Sequence, residues 1–364
     1  MVAKLTVIEV TTLIILLALL AVPVSWLLPA SWALDGIAIW TALVLAALSP
    51  LTAVWLIGAA CLTPMVLELG ERTGNRGFTA VAWSTLLLGA FVGAQLSPGF
   101  LWIGSAFFTL RHIHVVGDWW MGRLAVPRLR SHLHYQLFLP VMFVGPIHRI
   151  QNFERQSIRR RWHPADCLAG MERALIGAFI VNAVGGSLSD HARQIALAAL
   201  ADRHAFIRDW AVSALDWISL FFVFSGLTSV ALGISLMMGF RLEENFMHPW
   251  RARNMIDFWA RWHMSLTSWS RDYVYRPVMA ISRSPLLGLV AAMLVVGLWH
   301  ELSLYYVLWS FWQVLGIAIS RISGRWLTFG RLPRPVQVIM VPVSILAWLS
   351  LARPILIRLL EISP

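Results

Sequence analysis

Two histidines hold the most chemical promise in this sequence. His263 and His300 stand 37 positions apart, and each directly follows a tryptophan, Trp262 or Trp299. An imidazole, with an ordinary pKa of about 6.5, takes up or releases a proton near neutral pH without help from its surroundings. Kept neutral, it is also much less costly to bury than a carboxylate. Such groups suit the removal of a proton from a hydroxyl in a dry site. The bland reading is that each ring only caps a neighbouring carbonyl.

The elements that would hold these rings are membrane elements. His300 lies in an apolar run, residues 286–320. A span needs about 20 apolar residues to cross a hydrocarbon core about 30 Å thick, so this run is too long for one span and slightly short for two. A helical hairpin bent near His300 fits. Residues 286–299 rise only about 21 Å, which leaves His300 at depth beside Glu301. Titratable groups at depth face a polar cavity or a partner and are functional candidates. Residues 255–277 read differently: Trp259, Trp262 and Trp269 alternate with Asp257, Arg261, Arg271 and Asp272. Trp and Arg together suit an interface, so short helices at the cytoplasmic boundary, or dipping into the bundle, would bring His263 to the cavity. Trp262, Trp299, Asp257, Arg261 and Asp272 read as supports, through aromatic packing and ion pairs. Glu301 neighbours His300, but adjacent helix positions do not face each other.

Composition fixes the class. Of 364 residues 59% are hydrophobic and 13% charged, with a mean hydropathy of +0.71. That is an all-α polytopic membrane protein, expected as one integrated domain over residues 1–364 with about nine to eleven membrane segments. The net charge of +11 comes from basic residues between the apolar runs, where cytoplasmic loops face anionic lipid. With no basic domain or reader motif, nucleic acid is excluded as a partner. Cys61 and Cys167 lie far apart and support neither a disulfide framework nor zinc, so no metal is expected.

In chain order, residues 5–22, 33–48, 51–69 and 78–96 are apolar runs. The first follows Lys4 and lacks a small-residue cleavage site, so it reads as a retained span. Gly89 and Gly93 form a small-residue pair suited to close helix packing. Residues 100–116 carry Arg111, His112 and His114; the two histidines diverge on a helix, so an interfacial helix end is expected there, not a metal site. Residues 135–147 are too short to span and should be re-entrant or buried. The block 148–163, with Arg149, Arg155, Arg159, Arg160 and Arg161, sets orientation and touches lipid, ahead of a phosphate-binding role. Residues 167–188 cross outward, 189–209 form a mixed polar outer loop, and 210–240 return, with Asp216 near the outer end. Arg321, Arg325, Arg331 and Arg334 read as a further cytoplasmic loop before a last span at 336–351.

Three blocks carry a family resemblance. Gly145-Pro146-Ile147 with Arg149 forms one; Asn245-Phe246-Met247-His248-Pro249 leading into DFWARWHMSLTSWSRDYVYRP, residues 257–277, forms the second; LWH at 298–300 with the aromatic-rich segment after it forms the third. Together, over residues 138–312, they resemble the membrane-bound O-acyltransferases, in particular the bacterial branch acting in alginate acetylation and teichoic-acid D-alanylation. The resemblance implies a catalytic role for His300 and gives His263 the second family position. It implies an acyl donor that is an acyl-coenzyme A or acyl-carrier-protein thioester, with no bound cofactor. The acceptor would be a hydroxyl of a glycan, lipid or other surface or secreted molecule. Other proteins of a polymer-modification complex would be partners, alongside membrane lipids, in a bacterial inner membrane. In this chemistry His300 would take the hydroxyl proton and His263 would position the thioester or donate to the oxyanion.

The sequence also departs from that branch: Val223 and Leu227 replace an expected Asp and Tyr, Glu301 replaces a glycine, and Val278-Met279-Ala280 replaces small residues. A silent scaffold in a polymer-export complex and a proton-coupled transporter are the alternatives; no internal repeat supports the latter. No nucleophile elbow, phosphate loop, dinucleotide fingerprint or HExxH is present, which favours direct transfer over an acyl-enzyme.

Overall fold

The computed structural model describes residues 7–97, 104–142, 144–326 and 334–360. Lys4, residues 100–103 and Arg331 lie outside the described residues.

Helices make up the fold, and no strand occurs among the described residues. In chain order they are α1 (Val7–Leu27), α2 (Ala33–Leu48), α3 (Pro50–Arg72), α4 (Arg76–Leu96), α5 (Ser105–Trp120), α6 (Leu129–Gln136), α7 (Ile150–Arg159), α8 (Pro164–Phe179), α9 (Ser189–Ala199), α10 (Ala205–Met237), α11 (Met255–Arg261), α12 (Met264–Ser270), α13 (Arg276–Ser282), α14 (Pro285–His300), α15 (Leu304–Trp326) and α16 (Arg334–Leu359). Wide π-type turns, Ile180–Leu188 and Arg271–Tyr275, join α8 to α9 and α12 to α13. Among the described residues five helical stretches are long and apolar enough to cross a membrane: Pro50–Arg72, Arg76–Leu96, Pro164–Ala199, Ala205–Met237 and Val336–Leu359. The chain is thus an all-α, multi-pass membrane protein.

Local signals explain several boundaries. Pro50 and Pro285 open α3 and α14, where a missing N–H is no loss. The Ser284 hydroxyl accepts from Leu287 N–H at 3.3 Å and caps α14. Asn254 does the same for α11, its Oδ1 accepting from Asp257 N–H at 2.8 Å.

The chain divides into two compact units, residues 1–176 with 228–243 and residues 177–227 with 244–364. In the first, Arg111, His112, His114 and His132 are fully buried, which corrects the expected interfacial helix end. Some of these polar groups have internal partners, while the three guanidinium nitrogens of Arg111 have no hydrogen-bond partner among the described residues. The Arg111 guanidinium lies 4.5 Å from the centre of the Tyr135 ring, a cation–π arrangement. His114 Nε2 accepts from Ile150 N–H at 3.0 Å, and His132 Nδ1 meets the Ala60 carbonyl at 2.8 Å. Residues 135–142 are buried, as their length foretold. Gly89 and Gly93 differ from expectation: a methyl at either would meet nothing within 4 Å among the described residues.

In the second unit, the outer loop expected at 189–209 is mostly helix, with only residues 200–204 between α9 and α10. Asp190, Arg193, Arg208 and Asp209 sit on α9 and α10, Asp202 and Arg203 in the short link, and Arg193 reaches Asp216 at 3.2 Å. Likewise Arg321 lies within α15, not in a loop. The hairpin forms as expected, α14 ending at His300 and α15 starting at Leu304. Gly297 lets its two arms approach: a methyl there would come within 2.7 Å of the Tyr306 carbonyl oxygen. The Ser310 hydroxyl fastens the same crossing with bonds of 2.9 Å to Met293 O and 2.7 Å to Tyr306 O.

Candidate active site

Within the second unit a cavity of about 750 Å³ is lined by His263, His300, Trp262, Tyr305, Tyr306 and residues of α10, α12, α14, α15 and α16. Along α15 the lining runs from Tyr305 to Arg321, a rise of about 24 Å. One end carries Tyr305, Asp216 and Arg353, and Arg321 marks the opposite end of α15. Both sequence-derived histidines therefore meet in one space, brought there by separate blocks of the chain.

His263 arrives on a sharp turn. It is the residue before α12, with φ 44° and ψ 54°, the left-handed region that costs a side-chain-bearing residue roughly 1–2 kcal/mol. Backbone bonds hold it there: Met247 N–H donates to Arg261 O at 3.0 Å, and Met264 N–H donates to Asn245 O at 2.8 Å. Asn245 is fully buried, and its Oδ1 accepts from the Ser265 hydroxyl at 2.6 Å. The imidazole stands perpendicular to Phe224, ring centres 4.7 Å apart. Only 4% of His263 is exposed, and this burial, with His300 nearby, pushes its pKa down to about 3. The ring is neutral at physiological pH.

His300 differs. It is exposed and lines the cavity, the last residue of α14. Its ring stacks on Tyr306, centres 5.7 Å apart and planes inclined by 19°, with Trp299 and Trp309 at 4.8 and 6.3 Å edge-on. Among the described residues no carbonyl or carboxylate is hydrogen-bonded to it. An open imidazole beside a neutral, buried one can accept a proton from a bound hydroxyl while the second donates an N–H to a developing negative charge.

The supporting residues fall into two groups. Trp262 lines the cavity and packs against Trp217 and Phe246 at 5.5 and 5.1 Å; Trp299 lies 6.0 Å from His263, ring centre to ring centre. Asp257, Arg261 and Asp272 stay outside the lining. Asp257 accepts from Arg261 Nε at 2.8 Å and Arg253 Nε at 3.2 Å, and those arginines with the local N–H groups hold its carboxyl below the usual range. Asp272 bridges Arg271 and Arg276 at 3.1 and 3.0 Å. No group of three or more His, Cys, Asp or Glu among the described residues is placed to hold a metal ion.

Sequence reasoning did not single out Asn245, Phe224, Tyr306 or Arg353 as site residues. Arg353 Nη1 lies 2.6 Å from Asp216 Oδ2; the available signal was an arginine just past the last apolar run, with a carboxylate inside another.

The sequence profile of the MBOAT, membrane-bound O-acyltransferase family matches residues 122–357. The chain is 29% identical over 281 residues to a probable alginate O-acetylase of Pseudomonas fluorescens, covering 70% of this chain and 55% of the relative. It is 28% identical over 243 residues to a teichoic acid D-alanyltransferase of Streptococcus thermophilus, covering 63% and 58%. A peptidoglycan O-acetyltransferase of Helicobacter pylori is 31% identical over 120 residues, 32% of this chain and 23% of that one. The chain spans about half the length of the curated relatives it matches, 55% and 43% for two of the alginate O-acetylases. A profile covering most of the chain, with both histidine blocks inside it, shows that this protein belongs to the membrane-bound O-acyltransferase family.

Proposed function

We propose that the protein is an O-acyltransferase of the bacterial inner membrane. It moves a short acyl group, acetyl in the first instance, from a cytoplasmic thioester to a hydroxyl of a glycan, lipid or other surface acceptor. The thioester is acyl-coenzyme A or an acyl carrier protein. One observation carries this reading: His300 opens onto the same cavity that His263 lines. The relatives named for alginate, teichoic acid and peptidoglycan support a surface polymer as the acceptor class; a polymer-modification complex is the proposed setting.

In the proposed step His300 accepts the acceptor's hydroxyl proton as the oxygen attacks the thioester carbonyl. The carbonyl oxygen becomes an oxyanion, towards which His263, neutral because it is buried, offers its ring N–H. Collapse breaks the C–S bond, and the departing thiolate takes the proton from the His300 imidazolium. The ester and the free thiol leave, and both histidines return to their starting state. The acyl group passes directly, with no covalent enzyme intermediate.

The test uses protein in nanodiscs with radiolabelled acetyl-coenzyme A and a membrane glycan extract. Label should reach the extract with wild type and not with His300→Ala at equal protein level. Equal, acceptor-independent thiol release by both proteins would overturn the role of His300.

A further inference from the structure

Beside the histidine cavity, and within the same unit, lies a second opening of about 540 Å³. Its lining is apolar in every side-chain body, and three of its walls, Trp217, Trp262 and Leu349, also wall the histidine cavity. The two spaces are therefore neighbours with Trp262 as a partition. On the α10 side the groove is built by residues 217–222 and on the α16 side by 342–349, both in the middle stretches of helices long and apolar enough to cross the bilayer. Pro342 stands in the α16 wall, inside the helix, where it removes one backbone N–H and its ring crowds the preceding turn.

The depth of the groove decides what fills it. At the middle of a spanning helix the surrounding medium is hydrocarbon, and no water is at hand to wet a concave surface. The rim is open: Ile218 is 39% exposed, Trp250 52% and Val343 55%. A second helix would need a complementary flat or ridged face; a concave slot between rings fits a single flexible chain. We infer that the groove holds one acyl chain of a bilayer phospholipid, seated against the face of Trp262 turned away from the histidines. Occupancy does not depend on the acyl-transfer reading.

The full chain in nanodiscs doped with a phospholipid bearing a diazirine at the middle of one acyl chain is irradiated, digested and mapped by mass spectrometry. Label on Phe221, Phe222 and Leu346 should exceed, at least fivefold, label on Met340 of α16 and Leu88 of α4, exposed residues outside the groove. Val343→Trp and Ile218→Trp, each filling the slot from its exposed rim, should each remove that excess while leaving Met340 and Leu88 labelled. Equal labelling inside and outside the groove would overturn the inference in favour of annular lipid only. Excess that survives both variants would place the chain elsewhere and overturn it too.

Discussion

The imidazole of His300 lies nearly parallel to the ring of Tyr306, 5.7 Å between centres and 19° between planes, so the first turn of α15 orients the last residue of α14. An aromatic pair contributes roughly 0.5–1.5 kcal/mol beyond area burial. Tyr306→Leu should therefore lower acyl transfer by up to about tenfold, while Tyr306→Phe, which keeps the ring, should stay near wild type. Parallel turnover measurements decide it; an equal loss in both would assign the effect to the hydroxyl.

Removing the open imidazole is the larger change. His300→Ala should cut turnover by about 10²–10⁴, the usual contribution of a positioned general base, with protein level and melting temperature near wild type because His300 is exposed. A turnover assay alongside thermal melting in detergent separates chemistry from folding.

His263 gives a pH dependence with a definite sign. Its pKa falls from an ordinary 6.5 to about 3 on folding, so between those values the unfolded chain binds a proton that the folded chain refuses. Stability then rises with pH across that window: the contribution is fully present above about 6.5 and is lost as pH falls towards 3. His263→Gln should flatten this slope between pH 6.5 and 4 in denaturation midpoints. An unchanged slope would show that other groups set acid stability.

Asp216 and Arg353 form a charged hydrogen bond of 2.6 Å, with Arg193 on the other carboxylate oxygen at 3.2 Å. These side chains are a third to nearly half exposed, so screening reduces the coupling to about 1 kcal/mol or less. A double-mutant cycle with Asp216→Asn and Arg353→Gln, read by melting, should return a coupling of that size. The single Asp216→Asn should cost more than the pair alone, because two arginines lose their shared partner.

Gly297 is the tight point of the hairpin. Adding one methyl there forces it within 2.7 Å of Tyr306 O, a clash with backbone that cannot swing away. Gly297→Ala should destabilise by about 1–3 kcal/mol and should lower activity with it, because His300 stands three residues further along the same helix. Retained melting temperature with retained activity would show that the two arms separate freely.

The hairpin was legible because its arms are apolar, long enough and broken at one place. The short helices of residues 255–277 were legible from tryptophans alternating with charges. The segment 189–199 was not, since Asp190 and Arg193 look like loop residues until Asp216, far along the chain, is seen to receive Arg193. Arg111, His112 and His114 were misread for a related reason. Polar residues near an apolar run's end are normally wet, and only distant partners, Tyr135 and Ile150, reveal that these are dry. The meeting of His263 and His300 followed from matching blocks; Asn245 stood at the head of one of them, but its burial behind His263 shows only in the fold.

The turn at His263 has a practical corollary for building chimaeras. Because Met247 and Asn245 grip the backbone on either side of the tryptophan–histidine pair, the aim of that imidazole is inherited from a strip of chain about one helix-length upstream. Transplanting the histidine block alone would leave its bearing behind. Residues 245–265 form one cassette, and exchanges between relatives should move it whole.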